Sequence, residues 1–169
     1  MSGARAVPGS RRRWKRFGAE WTPDGRELIY IKENPQFDLY RRAADASRPA
    51  EPLLSDSHDH YTGSVSRDGR LLAFVLSVTG GVQLWTVPLQ GQAAPTLYLA
   101  NGFNLAHPAI SPDGHWMAYD SDESGRVEVY AQSFPDPKLR RWKDLTGGRV
   151  GAQCGLAMDA SWSTGKVIL

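Results

Sequence analysis

The chain has 169 residues, 41% hydrophobic and 22% charged, a size and balance that suit one ordinary globular domain and exclude wholesale disorder. Its net charge of +2 hides an asymmetry: residues 1–16 hold six of the twenty basic side chains and no acid, so residues 17–169 carry fourteen basic against eighteen acidic groups. A single cysteine, Cys154, excludes an internal disulfide and a multi-cysteine zinc site, and the longest apolar run, LLAFVL at 71–76, is far short of the roughly 20 residues that span a bilayer.

Residues 1–16 (MSGARAVPGSRRRWKR) mix Gly, Pro, Ser and Arg without periodicity and are expected to form a flexible basic segment. Only Trp14 is interleaved with the arginines and the body that follows is slightly acidic, so nucleic acid is not the expected partner. No apolar stretch follows the basic start, so no export signal is read; no membrane partner is expected, and the default compartment is the cytoplasm.

Residues 17–148 read as three repeats, about 17–60, 61–106 and 107–148. WTPDGRELIY at 21–30 returns as VSRDGRLLAF at 65–74 and as ISPDGHWMAY at 110–119, with 44 residues from Asp24 to Asp68 and 45 from Asp68 to Asp113. In the first repeat, Ala19-Glu20-Trp21 is a short strand and Thr22-Pro23-Asp24-Gly25 a tight turn, in which Pro fixes φ near −65° and Gly accepts a positive φ. Glu27 to Ile31 alternates as a second strand, KENPQ is a polar loop, and Phe37 to Tyr40 and Pro52 to Leu54 are the third and fourth strands.

The second repeat keeps that order through SVSRDGRLLAFVL, a Gly80-Gly81 turn, VQLWTVPL, a Gln90-Gly91-Gln92 loop and TLYLA. The third gives AISPDGHWMAYDS, a turn at Glu123-Ser124-Gly125 and Val127 to Tyr130. Period-two alternation with frequent turns and no helical period predicts an all-β protein. Four short strands per repeat of about 45 residues make it a partial β-propeller of about three four-stranded antiparallel blades, a fragment of a six-bladed or larger ring. Leu72, Phe74, Leu84, Val129 and Tyr130 are expected to face adjacent blades, because a blade cannot bury both faces alone. Two blade faces would then stay open, and a homodimer closing a six-bladed ring through them is the expected consequence.

With these motifs in view, the chain resembles TolB-type, WD-repeat-like propeller repeats, and GHWMAYDSDESGRVEVYAQSFPDP and LYRRAADASRPAEPLL are similar to the C-terminal sensor propeller of bacterial serine/threonine protein kinases. The resemblance implies a propeller fold and a sensor or protein-binding role, with a protein or small molecule held at the loops. It carries no kinase activity to this chain, which lacks a Gly-rich phosphate loop, HRD and DFG. The alternative it implies is the regulatory propeller of a kinase or of a prolyl-oligopeptidase-like hydrolase whose catalytic domain is absent from the chain. A gene remnant without independent function is a third possibility.

A fourth Asp-Gly turn is due near position 158, where the chain instead reads GLAMDASWSTGKVIL. Back-translated in a frame shifted by two nucleotides, Leu156 to Thr164 can read RDGRELVY, so residues 149–169 are expected to be an irregular tail derived from a frameshifted fourth repeat.

His58-Asp59-His60 supplies metal-ligand types, yet alternate residues of an extended chain offer at most two ligands, and only His107 falls in the matching loop of the next repeat; a polar loop is expected. Ser64, Ser66, Ser111 and Ser121 each lie near an Asp, but none sits in a Gly-x-Ser-x-Gly elbow and no His is placed as a base. Asp120-Ser121-Asp122-Glu123 lacks the spacing of a calcium loop and is expected to be a solvated turn, and His115 is expected to be exposed. The chain is therefore expected to be no enzyme: catalytic, cofactor-binding and metal residues, none; cofactors, none.

Overall fold

A computed structural model describes residues 18–91 and 94–143; the expected basic segment at 1–16 and the expected frameshifted tail lie outside the described residues. Among those described, twelve strands form three four-stranded antiparallel meanders. Blade 1 holds β1 (Ala19–Trp21), β2 (Glu27–Asn34), β3 (Gln36–Ala43) and β4 (Glu51–Leu54). Blade 2 holds β5 (Asp59–Val65), β6 (Leu71–Val78), β7 (Gly81–Pro88) and β8 (Thr96–Leu99). Blade 3 holds β9 (Leu105–Ile110), β10 (Trp116–Ser121), β11 (Glu128–Ser133) and β12 (Arg141–Lys143). The described residues thus form a three-blade arc of a β-propeller. Meander order places the first turn and the β3–β4 type of loop at one end of every blade, and the second turn and the blade-to-blade connections at the other.

The polar loop expected over KENPQ is shorter than the composition suggested. β2 runs to Asn34 and β3 starts at Gln36, with Ile31 opposite Leu39, Lys32 opposite Asp38 and Glu33 opposite Phe37. Pro35, which has no amide to donate, is left at the bend, while Asp38 is buried and accepts the Ser55 hydroxyl at 3.0 Å.

Blade 2 is buried on both faces, which explains why β6 is the one long apolar run. One side of β6 sends Leu72 and Phe74 into a seam with Ile29 and Leu39 of blade 1, joined by Val87 and Leu89. The other side sends Ala73 and Val75 into a seam with Leu105, Met117, Tyr119 and Tyr130 of blade 3, joined by Leu84 and Tyr98. Of the residues expected to face neighbouring blades, Val129 differs: it packs with Ala118 and Ala109 on the side of blade 3 away from blade 2, one residue out of phase with Tyr130.

The outer side of blade 1 repeats the pattern that the other blades bury. Leu28 and Tyr30 hold the register places of Leu72 and Phe74 and of Met117 and Tyr119. In blade 1 these positions are only half-buried, Trp21 opposite Leu28 is 57% exposed, and the Tyr30 and Tyr40 rings stand 6.2 Å apart with Lys32 Nζ 4.7 Å from the Tyr40 ring.

The first strands of successive blades approach very closely. A Cβ on Gly63 would lie 2.3 Å from Pro108 Cγ, 2.7 Å from the Pro108 carbonyl and 2.8 Å from the Ala73 carbonyl, so only glycine fits between β5 and β9. Gly63 sits at a β-bulge between Thr62 and Ser64, and one residue on, the Ile110 amide donates to Ser64 Oγ at 2.8 Å across the blades. Gly18 lies similarly against Thr62 in the first seam, a Cβ there falling 2.3 Å from Thr62 Oγ1.

Candidate binding site

The three motif copies fold into three matching turns at one end of the arc. In each, a hydroxyl two residues before the aspartate donates to its Oδ1: Thr22 to Asp24 and Ser66 to Asp68, both at 2.6 Å, and Ser111 to Asp113. The same Oδ1 accepts the amide two residues later, from Arg26, Arg70 and His115, each at 3.0 Å. The hydroxyls in turn accept the amides of Glu27, Leu71 and Trp116 at 2.9–3.0 Å. Gly25, Gly69 and Gly114 close the turns at φ of 67°, 69° and 71°, a left-handed conformation that glycine takes without strain.

These donors shift the turn carboxylates. The Thr22 hydroxyl, with the Arg26 amide behind it, holds Asp24 below the ordinary aspartate value of 3.8, and the Ser66 hydroxyl and Arg70 amide do the same for Asp68. Burial pushes Asp113 up, but the Ser111 hydroxyl and His115 amide outweigh it and the net shift is also downward. A carboxylate lowered on folding stabilises the fold fully above its unfolded pKa and loses that contribution as pH falls through the folded one. Urea midpoints are therefore expected to decline as pH drops below 3.8, and to decline less steeply in a variant carrying Asp24→Asn, Asp68→Asn and Asp113→Asn. Equal slopes in the two proteins would show that the turns do not carry the acid dependence.

Between the first two turns, the β3–β4 loop and Leu89-Gln90 lies an open cleft of about 850 Å³. Arg41 braces its base across the blades, donating from Nη1 to the Leu89 carbonyl at 3.2 Å and from Nε to Glu51 at 2.6 Å. Each carboxylate of the rim has an internal donor: the turn hydroxyls and amides for Asp24 and Asp68, Arg48 for Glu27 at 2.8 Å, and the Ser47 amide for Asp45 at 2.9 Å. Arg67 is exposed and has no ion pair or hydrogen bond among the described residues, and it stands where the other two turns have Pro23 and Pro112.

The sequence candidates are dispersed among structural roles. Asp56, not singled out from the sequence, bridges two imidazoles, with His58 Nδ1 at 3.0 Å and His60 Nε2 at 3.6 Å. His60 is 2% exposed with its ring 5.9 Å from Phe74, and Asp59 instead accepts the Phe37 amide at 3.0 Å. His107 Nδ1 pairs with Asp120 at 2.9 Å, and among the described residues no group of three or more His, Cys, Asp or Glu is placed to hold a metal. Ser64, Ser66 and Ser111 are hydrogen-bonded within the fold as described, Ser121 Oγ accepts the Glu123 amide at 3.3 Å, and His115 is exposed.

The solvated turn expected over Asp120 to Glu123 is corrected in its first half. Asp120 and Ser121 belong to β10 and are 3% and 0% exposed; beyond them Asp122 accepts the Asn104 amide and side chain, and Glu123 meets Asn101 and Arg141. The same end of blade 3 holds a buried Glu128 between Lys143, Ser124 and Arg126, donors that bring its carboxyl down to about 2. Thr22 and Arg67 were not singled out by sequence reasoning, and Ser66 and Ser111 were weighed as nucleophiles without their turn role being seen. A hydroxyl two places before every motif aspartate, and one arginine in place of proline, were the available signals.

Comparison with known proteins agrees with this architecture. Residues 38–151 match the family described as the lipoprotein LpqB beta-propeller domain. Uncharacterized protein Atu1656 of Agrobacterium fabrum is 32% identical over 152 residues, which is 85% of this chain and 50% of that protein. The Tol-Pal system protein TolB of Anaeromyxobacter dehalogenans is 32% identical over 99 residues, 57% of this chain and 20% of the relative. The chain thus spans half the length of the first relative and a fifth of the second. Among solved structures, the putative TolB from Agrobacterium tumefaciens superposes with a TM-score of 0.65 at 22% identity, over 75% of this chain and 48% of that one, a likeness of fold.

Proposed function

The chain belongs to the LpqB β-propeller domain family, and from that premise we propose that it is a non-catalytic binding module whose turn end holds a protein or small-molecule partner. One observation carries this reading: the open cleft between the first two turns combines a braced base with arginines that the fold does not use. The strands supply rigidity through their seams, while the loops at their ends stay free to vary, which is the usual division between scaffold and site. Attachment as the sensor propeller of a serine/threonine kinase, or as the regulatory propeller of a prolyl-oligopeptidase-like hydrolase, is a finer form of the same proposal. Both place the chemistry in another domain and leave ligand binding to this one.

A thermal-shift screen of the purified chain against short peptides and small polar molecules tests the reading. A ligand present at a hundredfold excess over its Kd stabilises the fold by about 2.7 kcal/mol, several degrees in Tm, and is expected to be recovered chemically unchanged. A hit that is hydrolysed or otherwise converted would contradict a non-catalytic module.

A further inference from the structure

The groups left available in the cleft indicate what kind of partner fits. Its four carboxylates, Asp24, Glu27, Asp45 and Asp68, are already engaged by donors of the protein, and Arg48 is engaged by Glu27. Two guanidinium groups remain. Arg67 has no partner among the described residues, and Arg26 is 85% exposed with only a 4.0 Å approach to Asp24. A guanidinium presents paired N–H donors that match a carboxylate in a bidentate fork, a geometry that lysine lacks.

The surrounding charge selects among anions. Four fixed carboxylates line the same cleft and residues 17–169 hold more acids than bases, so a polyanion such as nucleic acid or an acidic lipid surface meets repulsion over most of its length. A ligand with one carboxylate and otherwise neutral flanks has a single charge to place, which can sit beside the two exposed guanidinium groups while its flanks meet no repulsion. Leu89, Pro23 and Ala44 give the cleft apolar contact surface, and the open shape admits an extended backbone.

We infer that the cleft between the first two turns takes an extended peptide segment by one acidic side chain, clamped by Arg67 and Arg26. This rests on the binding-module reading above and specifies the ligand chemistry at its site.

The test uses the purified chain and two labelled, end-capped heptapeptides of Gly, Ser and Ala, one with a central glutamate and one with a central glutamine. Binding is read by fluorescence anisotropy. The glutamate peptide is expected to bind about tenfold or more tightly than its glutamine counterpart, less so at high salt, and the difference is expected to shrink severalfold in Arg67→Pro, where Arg26 alone remains. That variant adopts the residue the sister turns carry at Pro23 and Pro112, and its unchanged Tm serves as the control for folding.

Equal affinity for the two peptides, an undiminished preference in Arg67→Pro, or no binding of the glutamate peptide at about 1 mM overturns the inference, as does stronger competition by a DNA duplex than by acetate. Equal affinity with amide protection at the turn end removes only the carboxylate clamp and leaves the binding module standing. Protection elsewhere on the blades removes both.

Discussion

Replacing Gly63 by alanine is expected to destabilise the protein by about 3 kcal/mol, and by valine more, a large share of the roughly 5–15 kcal/mol that hold a typical domain. The added Cβ meets Pro108 and the Ala73 carbonyl at 2.3–2.8 Å, and two of the three atoms it meets are backbone oxygens that cannot rotate away. β5 and β9 would have to part, and with them the bond from the Ile110 amide to Ser64. Gly114→Ala is the informative control. Nothing lies within 4 Å of a Cβ there, and only the positive φ of 71° opposes it, a penalty of about 1 kcal/mol. Urea denaturation of both variants separates the two causes; a Gly63→Ala penalty no larger than that of Gly114→Ala would mean the blades are not packed this closely.

Leu84→Ala is the second large effect, expected at about 2–5 kcal/mol, because Leu84 is 0% exposed in the seam between blades 2 and 3 and its removal leaves a cavity. Each blade touches only its neighbours, so stability is approximately a sum of blade and seam contributions. The loss is therefore expected to fall unevenly: amide exchange accelerates most in β9 to β11, and less in β2 and β3, which pack through Ile29 and Leu39 on the other seam. Equal acceleration in all three blades would show that the chain opens as one unit and that the seams are not separable.

Much of the fold was legible because its determinants are local. Asp24, Asp68 and Asp113 with their following glycines announce turns, and the 44–45-residue spacing announces repeats, before any contact is known. Pairing across a tight bend was less legible: KENPQ reads as loop by composition, yet the β2–β3 ladder continues through Lys32 and Asp38 to Asn34 and Gln36, leaving Pro35 at the bend. Gly63 was invisible, since its constraint comes from Pro108, 45 residues away in the next blade. Asp120 and Ser121 looked solvated from their polarity, but β10 is buried on both faces from Met117 onward, and Asp120 meets His107 on the neighbouring strand.

The candidate site was harder to read than the fold. A serine beside an aspartate invites comparison with a nucleophile and base, and only geometry shows that Ser66 and Ser111 donate to Asp68 and Asp113 to hold a turn. Arg67 carries no motif of its own; it gains meaning once the turns are superposed and it alone replaces proline. Even then the cleft depends on the β3–β4 loop and Leu89 arriving from other parts of the chain, which no local pattern encodes.

Amide hydrogen exchange with and without a peptide from the binding screen tests the central claim, that the seams are scaffold and the turn end of blades 1 and 2 is the site. Slowed exchange is predicted at residues 22–27, 44–48 and 66–70, with β2, β6 and β10 unchanged. Protection confined to the opposite end, at 55–58 and 122–126, would contradict it.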